Sequence, residues 1–155
     1  MKKIGLLSLA IIMFSTVFAQ ITFKSGSTQL DTDLNTINTS AKLDFGKFKT
    51  NIRLSYNTSE NKINYMSTTI KMQPADIYMA FEISRISKRP IDDVIVVYKN
   101  NKSKGWGYMA KQLGIKPGSA EFHALKGDAS GKAKKNKGKG NGKGNSKNKG
   151  KGKNK

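Results

Sequence analysis

The chain has 155 residues, with 29 lysines and arginines against 10 aspartates and glutamates, a formal net charge of +19 and no cysteine. These counts exclude a large multidomain enzyme, a disulfide-stapled toxin, a cysteine-ligated zinc module and a thiol-dependent catalyst. The excess of positive charge favours an anionic partner.

The charge is concentrated at one end of the chain. Residues 126–155 hold 12 lysines and a single acid, Asp128, whereas residues 4–125 hold 15 basic and 9 acidic residues. Most of the basicity therefore belongs to the C-terminal thirty residues. The sequence predicts three segments: residues 1–19, 20–126 and 127–155.

The first segment has the pattern of a secretory signal peptide. Lys2 and Lys3 precede an almost unbroken apolar run over 4–17, and Val17 and Ala19 are small residues placed before a cleavage site. A membrane anchor is the alternative, but the run is shorter than the ~20 residues that span hydrocarbon. We therefore expect cleavage after Ala19, no transmembrane segment in the mature protein, and export to the periplasm or the medium.

The central segment, 20–126, is predicted to be a small, mostly α-helical bundle. Pro74 followed by Asp76, and Pro90 followed by Asp92 and Asp93, are typical of helix starts, because proline suits the first turn and acids suit the positive end of the helix dipole. After Pro90 the apolar spacing favours a helix, although residues 94–98 would also suit a buried strand.

Two further helices are predicted before the C-terminal segment. The first has Trp106 on its apolar face and Gly114 at its C-terminal cap, and the second begins at Ser119 and ends at Gly127. Residues 74–126 thus form about four helices.

The region before Pro74 is less clearly patterned. Helical spacing predicts helices over 31–44 and 59–69. Residues 47–56 fit both a helical stripe and the alternation of a half-buried strand. A short β hairpin within 47–72, with 68–72 as the second strand, remains open.

The last segment, 127–155, is predicted to be a disordered polycationic tail. It contains no leucine, isoleucine, valine, methionine or aromatic residue, so nothing offsets the roughly 1–2 kcal/mol of backbone entropy lost per ordered residue. Its lysines are candidates for polyanion binding through counterion release, or else serve only as a solubilising tail. The candidate residues are Lys132, Lys134, Lys135, Lys137, Lys139, Lys143, Lys147, Lys149, Lys151, Lys153 and Lys155.

Catalytic, metal and cofactor sites find no support in the sequence. His123 is the only histidine; Glu121 lies two residues away, and Ser119 is better explained as a helix cap. Asp92 and Asp93 lack the oxygen-rich loop that calcium needs. We expect no enzyme activity and no cofactor. Trp106 could stack on a sugar or base, but its spacing favours a core anchor.

Two resemblances are visible in the second half of the chain. Residues 109–125, with Ala110, Gly114 and Ser119, resemble part of a helix-turn-helix motif, which would imply a nucleic-acid-binding domain. The stretch from PADIYM at 74–79 to KGWGYMAKQLGIKPGSAEFHALK at 104–126 is similar to small exported bacterial proteins with no known activity. That likeness implies export and supplies no site.

The leading hypothesis is an exported, non-enzymatic protein that associates non-specifically with anionic polymers through its tail. Extracellular DNA, acidic polysaccharide and anionic lipid headgroups are the candidate partners. The alternative is an envelope interaction or structural module in which residues 20–126 bind a protein partner and the tail is a spacer. A helix-turn-helix-like nucleic-acid-binding domain is the third hypothesis.

Overall fold

The computed structural model describes residues 23–137, and every regular element within them is helical. The mostly α-helical fold class is confirmed. The predicted signal peptide, 1–19, lies outside the described residues. Seven α-helices occur in the described part of the chain: α1 (Thr28–Leu43), α2 (Phe45–Tyr56), α3 (Glu60–Asn64), α4 (Pro74–Ser87), α5 (Ile91–Asn101), α6 (Trp106–Gln112) and α7 (Ala120–Lys137). A π-helical stretch, Tyr65–Thr69, continues α3, and a 3₁₀ turn, Lys102–Lys104, follows α5.

Helix α1 forms where the three-to-four-residue apolar spacing predicted it. Ser27 caps its start by accepting from the backbone N–H of Leu30 at 3.4 Å. Asp44 separates α1 from α2 and caps the second helix by accepting from the N–H of Lys47 at 2.8 Å. The buried stripe of α1 is Leu30, Leu34, Ile37 and Ala41.

Residues 47–56 are helical, and the β hairpin considered for 47–72 is wrong. A strand would have put Thr50 and Leu54 on the same buried face as Ile52, but both are exposed, Leu54 by 73%. The helix instead buries Phe48 and Ile52, four residues apart. The stretch proposed as the second strand lies in the π-helical segment and the turn after it.

Helix α4 is the central element of the fold. Every residue from 75 to 83 is buried, and the helix packs against α1, α2, α5 and α7. A helix that is buried on all sides belongs in the middle of a bundle. The predicted start at Pro74 is confirmed, and Asp76 accepts from the backbone N–H of Gln73 at 3.1 Å.

Helices α5 and α6 also follow their predicted signals. Val96 is 56% exposed while Val94 and Tyr98 are buried, which fits a helix and not a fully buried strand. Gly114 follows α6 with φ of +95°, the left-handed conformation that glycine accepts at a helix end.

The last helix departs from the sequence prediction. Gly127 does not end it: α7 continues to Lys137, so the predictions that the domain stops at 126 and that disorder starts at 127 are wrong. Ala129 and Ala133 are buried and extend the apolar face of the helix by two turns. Burial against α1 and α4 offsets the helix-weakening effect of the glycines. Residues 138–155 lie outside the described part of the chain.

Candidate functional site

The described part of the predicted polyanion-binding segment is an ordered helix end. Lys132, Lys134, Lys135 and Lys137 lie on the last turns of α7, and all but the partly buried Lys132 are exposed. Cations are favourable here because the C-terminus of a helix carries partial negative charge. The other seven predicted lysines lie outside the described residues: Lys139, Lys143, Lys147, Lys149, Lys151, Lys153 and Lys155.

A groove runs between α2 and the C-terminal half of α7, and we call it the α2–α7 groove. It consists of one cavity of about 610 Å³ and a second of about 370 Å³, which share Ser55, Lys132 and Lys135. Polar residues that line the larger cavity include Lys47, Asn51, Ser55, Lys132, Lys135 and Asn136. The groove therefore has two basic positions on one wall, Lys132 and Lys135, and a third, Lys47, on the other.

These three lysines have no carboxylate partner within the described range. The ion pairs found in residues 23–137 involve Lys49, Lys62 and Arg85 as the cations. Lys47, Lys132 and Lys135 thus take part in no ion pair of the described residues, although Asp44, Glu82 and Asp128 also line the groove.

Lys132 is the least solvated of the three. Burial, and secondarily the nearby charge of Lys135, lower the pKa of the Lys132 ammonium. A cation in such a place gains from an anionic neighbour, because the neighbour replaces part of the lost hydration.

The acids at the far end of the groove are already paired. Arg85 Nη2 lies 2.6 Å from Glu82 Oε2 and 2.5 Å from Asp128 Oδ2, so one guanidinium joins α4 to α7. Glu82 is buried and also accepts from the hydroxyl of Tyr56. The hydrogen bond from Arg85 to Glu82 raises the pKa of the Arg85 guanidinium above its usual value.

Two tyrosines lie beside these acids: Tyr78 is buried and Tyr56 is partly buried. Burial, reinforced by the charge of Glu82, raises the pKa of Tyr56 and of Tyr78 well above the usual value. Both phenols stay neutral at physiological pH. At this end of the groove the two tyrosines therefore offer neutral hydroxyl groups beside Glu82 and no ionised nucleophile.

Trp106 is in the core, as its spacing predicted. Its indole N–H donates to Oδ1 of buried Asp76 at 2.8 Å, and its ring packs against Tyr98 at 5.4 Å between centroids. The alternative role, stacking on a sugar or base, is incompatible with a ring that is 2% exposed.

The glycines beside Trp106 have a packing role. The backbone N–H of Trp106 donates to Phe23 O, and that of Gly107 to Lys24 O, each at 2.9 Å. A Cβ on Gly105 would lie 2.4 Å from Lys24 Cβ, and one on Gly107 would lie 2.9 Å from the oxygen of Ser25. Glycine is therefore required where segment 23–25 crosses the start of α6.

The remaining polar residues considered from the sequence have local roles. Ser119 caps α7 by accepting from the N–H of Phe122 at 3.2 Å. Asp92 pairs with Lys62 at 2.7 Å on the surface. His123 is exposed on α7, two residues from the exposed Glu121. No group of three or more potential metal ligands occurs among residues 23–137.

The segment that resembles a helix-turn-helix comprises α6, the turn after it and the first turns of α7. Phe122 and Leu125 face the core there. The exposed charged side chains of residues 109–125 are Lys111, Lys116 and Glu121. The two lysines precede α7, and the charged residue on the turns of α7 is the acid Glu121, which phosphates would repel.

The α2–α7 groove is the feature that sequence reasoning missed. The signal that could have found it is the spacing of Phe122, Leu125, Ala129 and Ala133, which continues one helical face in steps of three and four. Had this face been recognised as buried, the lysines between its residues would have been predicted to lie on the other sides of the helix.

A comparison of the chain with protein-family models, curated proteins and solved structures finds no match in any of the three. Within residues 23–137, no helix is long and apolar enough to cross a membrane.

Proposed function

We propose that the protein is exported, has no catalytic activity, and associates with anionic polymers through its C-terminal lysines. The observation that carries this proposal is the run of lysines at the end of α7, which lies directly before seven more lysines and no acid in 138–155. Lysines that cluster at the end of a folded helix and continue into the chain after it attract polyanions, because binding releases the counterions condensed on the polymer.

The association is expected to be tolerant of polymer sequence. Beyond His123 the chain contains no aromatic ring, and it contains no arginine after Arg89. Lysine acts as a point charge and lacks the bidentate fork of arginine, and base recognition on single strands depends on aromatic stacking. Affinity should therefore follow the charge density of the polymer.

A truncation that tests the proposal must leave α7 intact. A truncation at residue 127 would remove the buried Ala129 and Ala133 and would disturb the fold. The informative pair is residues 20–155 and 20–137, compared by the salt concentration that elutes each from heparin and from immobilised DNA. We expect the shorter chain to elute at clearly lower salt, and the slope of log affinity against log salt to fall.

A matched control separates charge from length. In it, the seven lysines of 138–155 are replaced by glutamine, so that the chain keeps its length. It should behave as the truncation does. Elution of all three proteins at the same salt concentration would contradict the proposal.

Export has its own test, because the signal peptide lies outside the described residues. Protein recovered from the periplasm or medium of a producing strain should have Gln20 at its N-terminus by mass spectrometry. Accumulation of a species beginning at Met1 in the cytoplasm would contradict this part of the proposal.

A second candidate function is binding of a protein partner by the helical domain. It is favoured by Leu54, which is largely exposed beside a cavity of about 490 Å³ that is also lined by Phe81 and Ile91. Exposed apolar surface next to a cavity is a feature of docking sites. Enrichment of one envelope protein on 20–137 at high salt, lost in Leu54→Glu but retained in Val96→Glu, would support it.

A further inference from the structure

We propose that the α2–α7 groove is a binding site for an acidic polysaccharide chain, whose carboxylate or sulfate groups pair with Lys47, Lys132 and Lys135. The inference rests on the proposed function and goes beyond it. It assigns the binding to one ordered site and to one class of polymer, whereas the net charge alone predicts loose association with any polyanion.

The charges that line the groove suit an anionic ligand. Each acid that borders the groove is already engaged: Asp44 caps α2, while Glu82 and Asp128 both bind Arg85. The lysines have no such partner within residues 23–137. The charged lining is four cations, Lys47, Lys132, Lys135 and Arg85, against three acids, so an anionic chain lying along the groove would meet a net positive charge and three lysines outside any ion pair.

Lys132 lies between the two cavities. It lines both, so a ligand in either cavity would lie beside this residue. Partial burial disfavours the charge of its ammonium group, as the lowered pKa shows. Binding of an anion beside it should reverse that effect and raise the Lys132 pKa.

One wall of the smaller cavity is formed by glycines. Gly127 and Gly131 lie one turn apart on α7 and line it, and a Cβ on either would meet no atom within 4 Å. Neither has the positive φ that would require glycine. Both weaken the helix with no packing need among the described residues, and their lack of side chains keeps the cavity open.

The choice of a polysaccharide follows from the other side chains of the groove. Asn51, Ser55 and Asn136 offer amides and a hydroxyl, which suit the hydroxyls of a sugar chain. Single-stranded nucleic acid needs free aromatic faces. The aromatic side chains here are occupied, since Phe48 is buried and Tyr56 is stacked on Phe81 at 5.1 Å.

The test compares two triple variants of residues 20–155 with equal loss of charge. Lys47→Gln, Lys132→Gln and Lys135→Gln alter the groove; Lys149→Gln, Lys151→Gln and Lys153→Gln alter the C-terminal segment. The probes are a heparin hexasaccharide and an oligothymidylate of matched charge number, with affinity measured by calorimetry. We expect the groove variant to lose about tenfold or more in hexasaccharide affinity, and the C-terminal variant about threefold or less.

Each outcome is decisive. Equal losses in the two variants would show that only net charge matters, which overturns the groove site but leaves the proposed function standing. A greater loss for the oligothymidylate than for the hexasaccharide in the groove variant would make nucleic acid the occupant and overturn the polysaccharide assignment. If the unaltered chain binds neither probe nor heparin resin, the proposed function itself fails.

A measurement on the unaltered chain guards against misfolding of the groove variant. By NMR, the hexasaccharide should shift the amide signals of Asn51, Ser55 and Asn136 and raise the pKa of the Lys132 ammonium. Signals that change only in residues 138–155, with the Lys132 pKa constant, would overturn the proposal.

Discussion

The indole N–H of Trp106 donates to Oδ1 of Asp76 at 2.8 Å, across 30 positions of the sequence. The other oxygen of this carboxylate accepts from the hydroxyl of Tyr98 at 3.0 Å and from the backbone N–H of Gln73 at 3.1 Å. One buried acid therefore caps α4 and links it to α5 and α6. Trp106 in turn holds the segment at Phe23 through its backbone.

Replacing Asp76 with alanine should be strongly destabilising. The substitution leaves the Trp106 and Tyr98 donors without a partner in a buried place, so we expect a loss of about 3 kcal/mol in the free energy of unfolding. Urea denaturation followed by tryptophan fluorescence measures it. Asp92→Ala is the control: its ion pair with Lys62 is exposed, and the loss should stay under about 1 kcal/mol. Similar losses in the two variants would contradict the assigned role of Asp76.

Replacing glycine by alanine should change the stability of the fold in opposite directions at Gly105, which precedes α6, and at Gly131, which lies within α7. Gly105→Ala is expected to destabilise by more than about 1 kcal/mol, because its φ is +82° and the new Cβ would clash with Lys24. Gly131→Ala is expected to stabilise by about 0.5–1 kcal/mol, because the site is helical and open. Thermal unfolding of both variants tests this prediction. A melting temperature that shifts in the same direction in both variants would refute it.

Local signals in the sequence were enough to predict most helices of the bundle. Pro74 with Asp76, Gly114 and Ser119 each act within one turn of their own position, so their effects could be predicted without knowing the tertiary structure. Residues 47–56 could not be assigned, because the helical and strand patterns differ in whether Thr50 and Leu54 are buried, and that depends on distant residues.

The α2–α7 groove was not predicted from the sequence, for a related reason. Ala129 and Ala133 are too small to look like a core face in the sequence, and Gly127 and Gly131 look like helix breakers. Their helix is stable because α1 and α4 cover the alanines, which is a property of the packed fold.

The packing of α7 predicts a contrast between two alanines on that helix. Ala129→Gln puts an amide into a fully buried place, where it lacks both room and partners, so we expect a loss of about 2–4 kcal/mol. Ala124→Gln, the same change on the exposed side, should stay within about 0.5 kcal/mol. Denaturant titration of each gives the values. Should both be neutral, α7 beyond Gly127 would not be part of the cooperative fold.

Stability should fall steeply with alkaline pH because of the buried tyrosines. Burial raises the pKa of Tyr56, Tyr78 and Tyr98 in the folded protein, whereas the same phenols ionise near pH 10 when the chain is unfolded. Their stabilising effect is complete below about pH 10 and is lost as the pH rises above it, since only the unfolded state then releases protons. Each such tyrosine contributes a slope of about 1.4 kcal/mol per pH unit.

The variant Tyr56→Phe isolates one of these groups. Its hydroxyl bonds Glu82, which retains Arg85 as a partner after the change, so the fold should persist. Lysines titrate in the same pH range in both proteins and cancel in the comparison. Urea unfolding between about pH 9.5 and 11 should therefore give the variant a shallower decline, by about 1.4 kcal/mol per pH unit above pH 10. Identical declines would mean that Tyr56 ionises as readily in the folded chain as in the unfolded one, and that its ring is not held beside Glu82 as the structure describes.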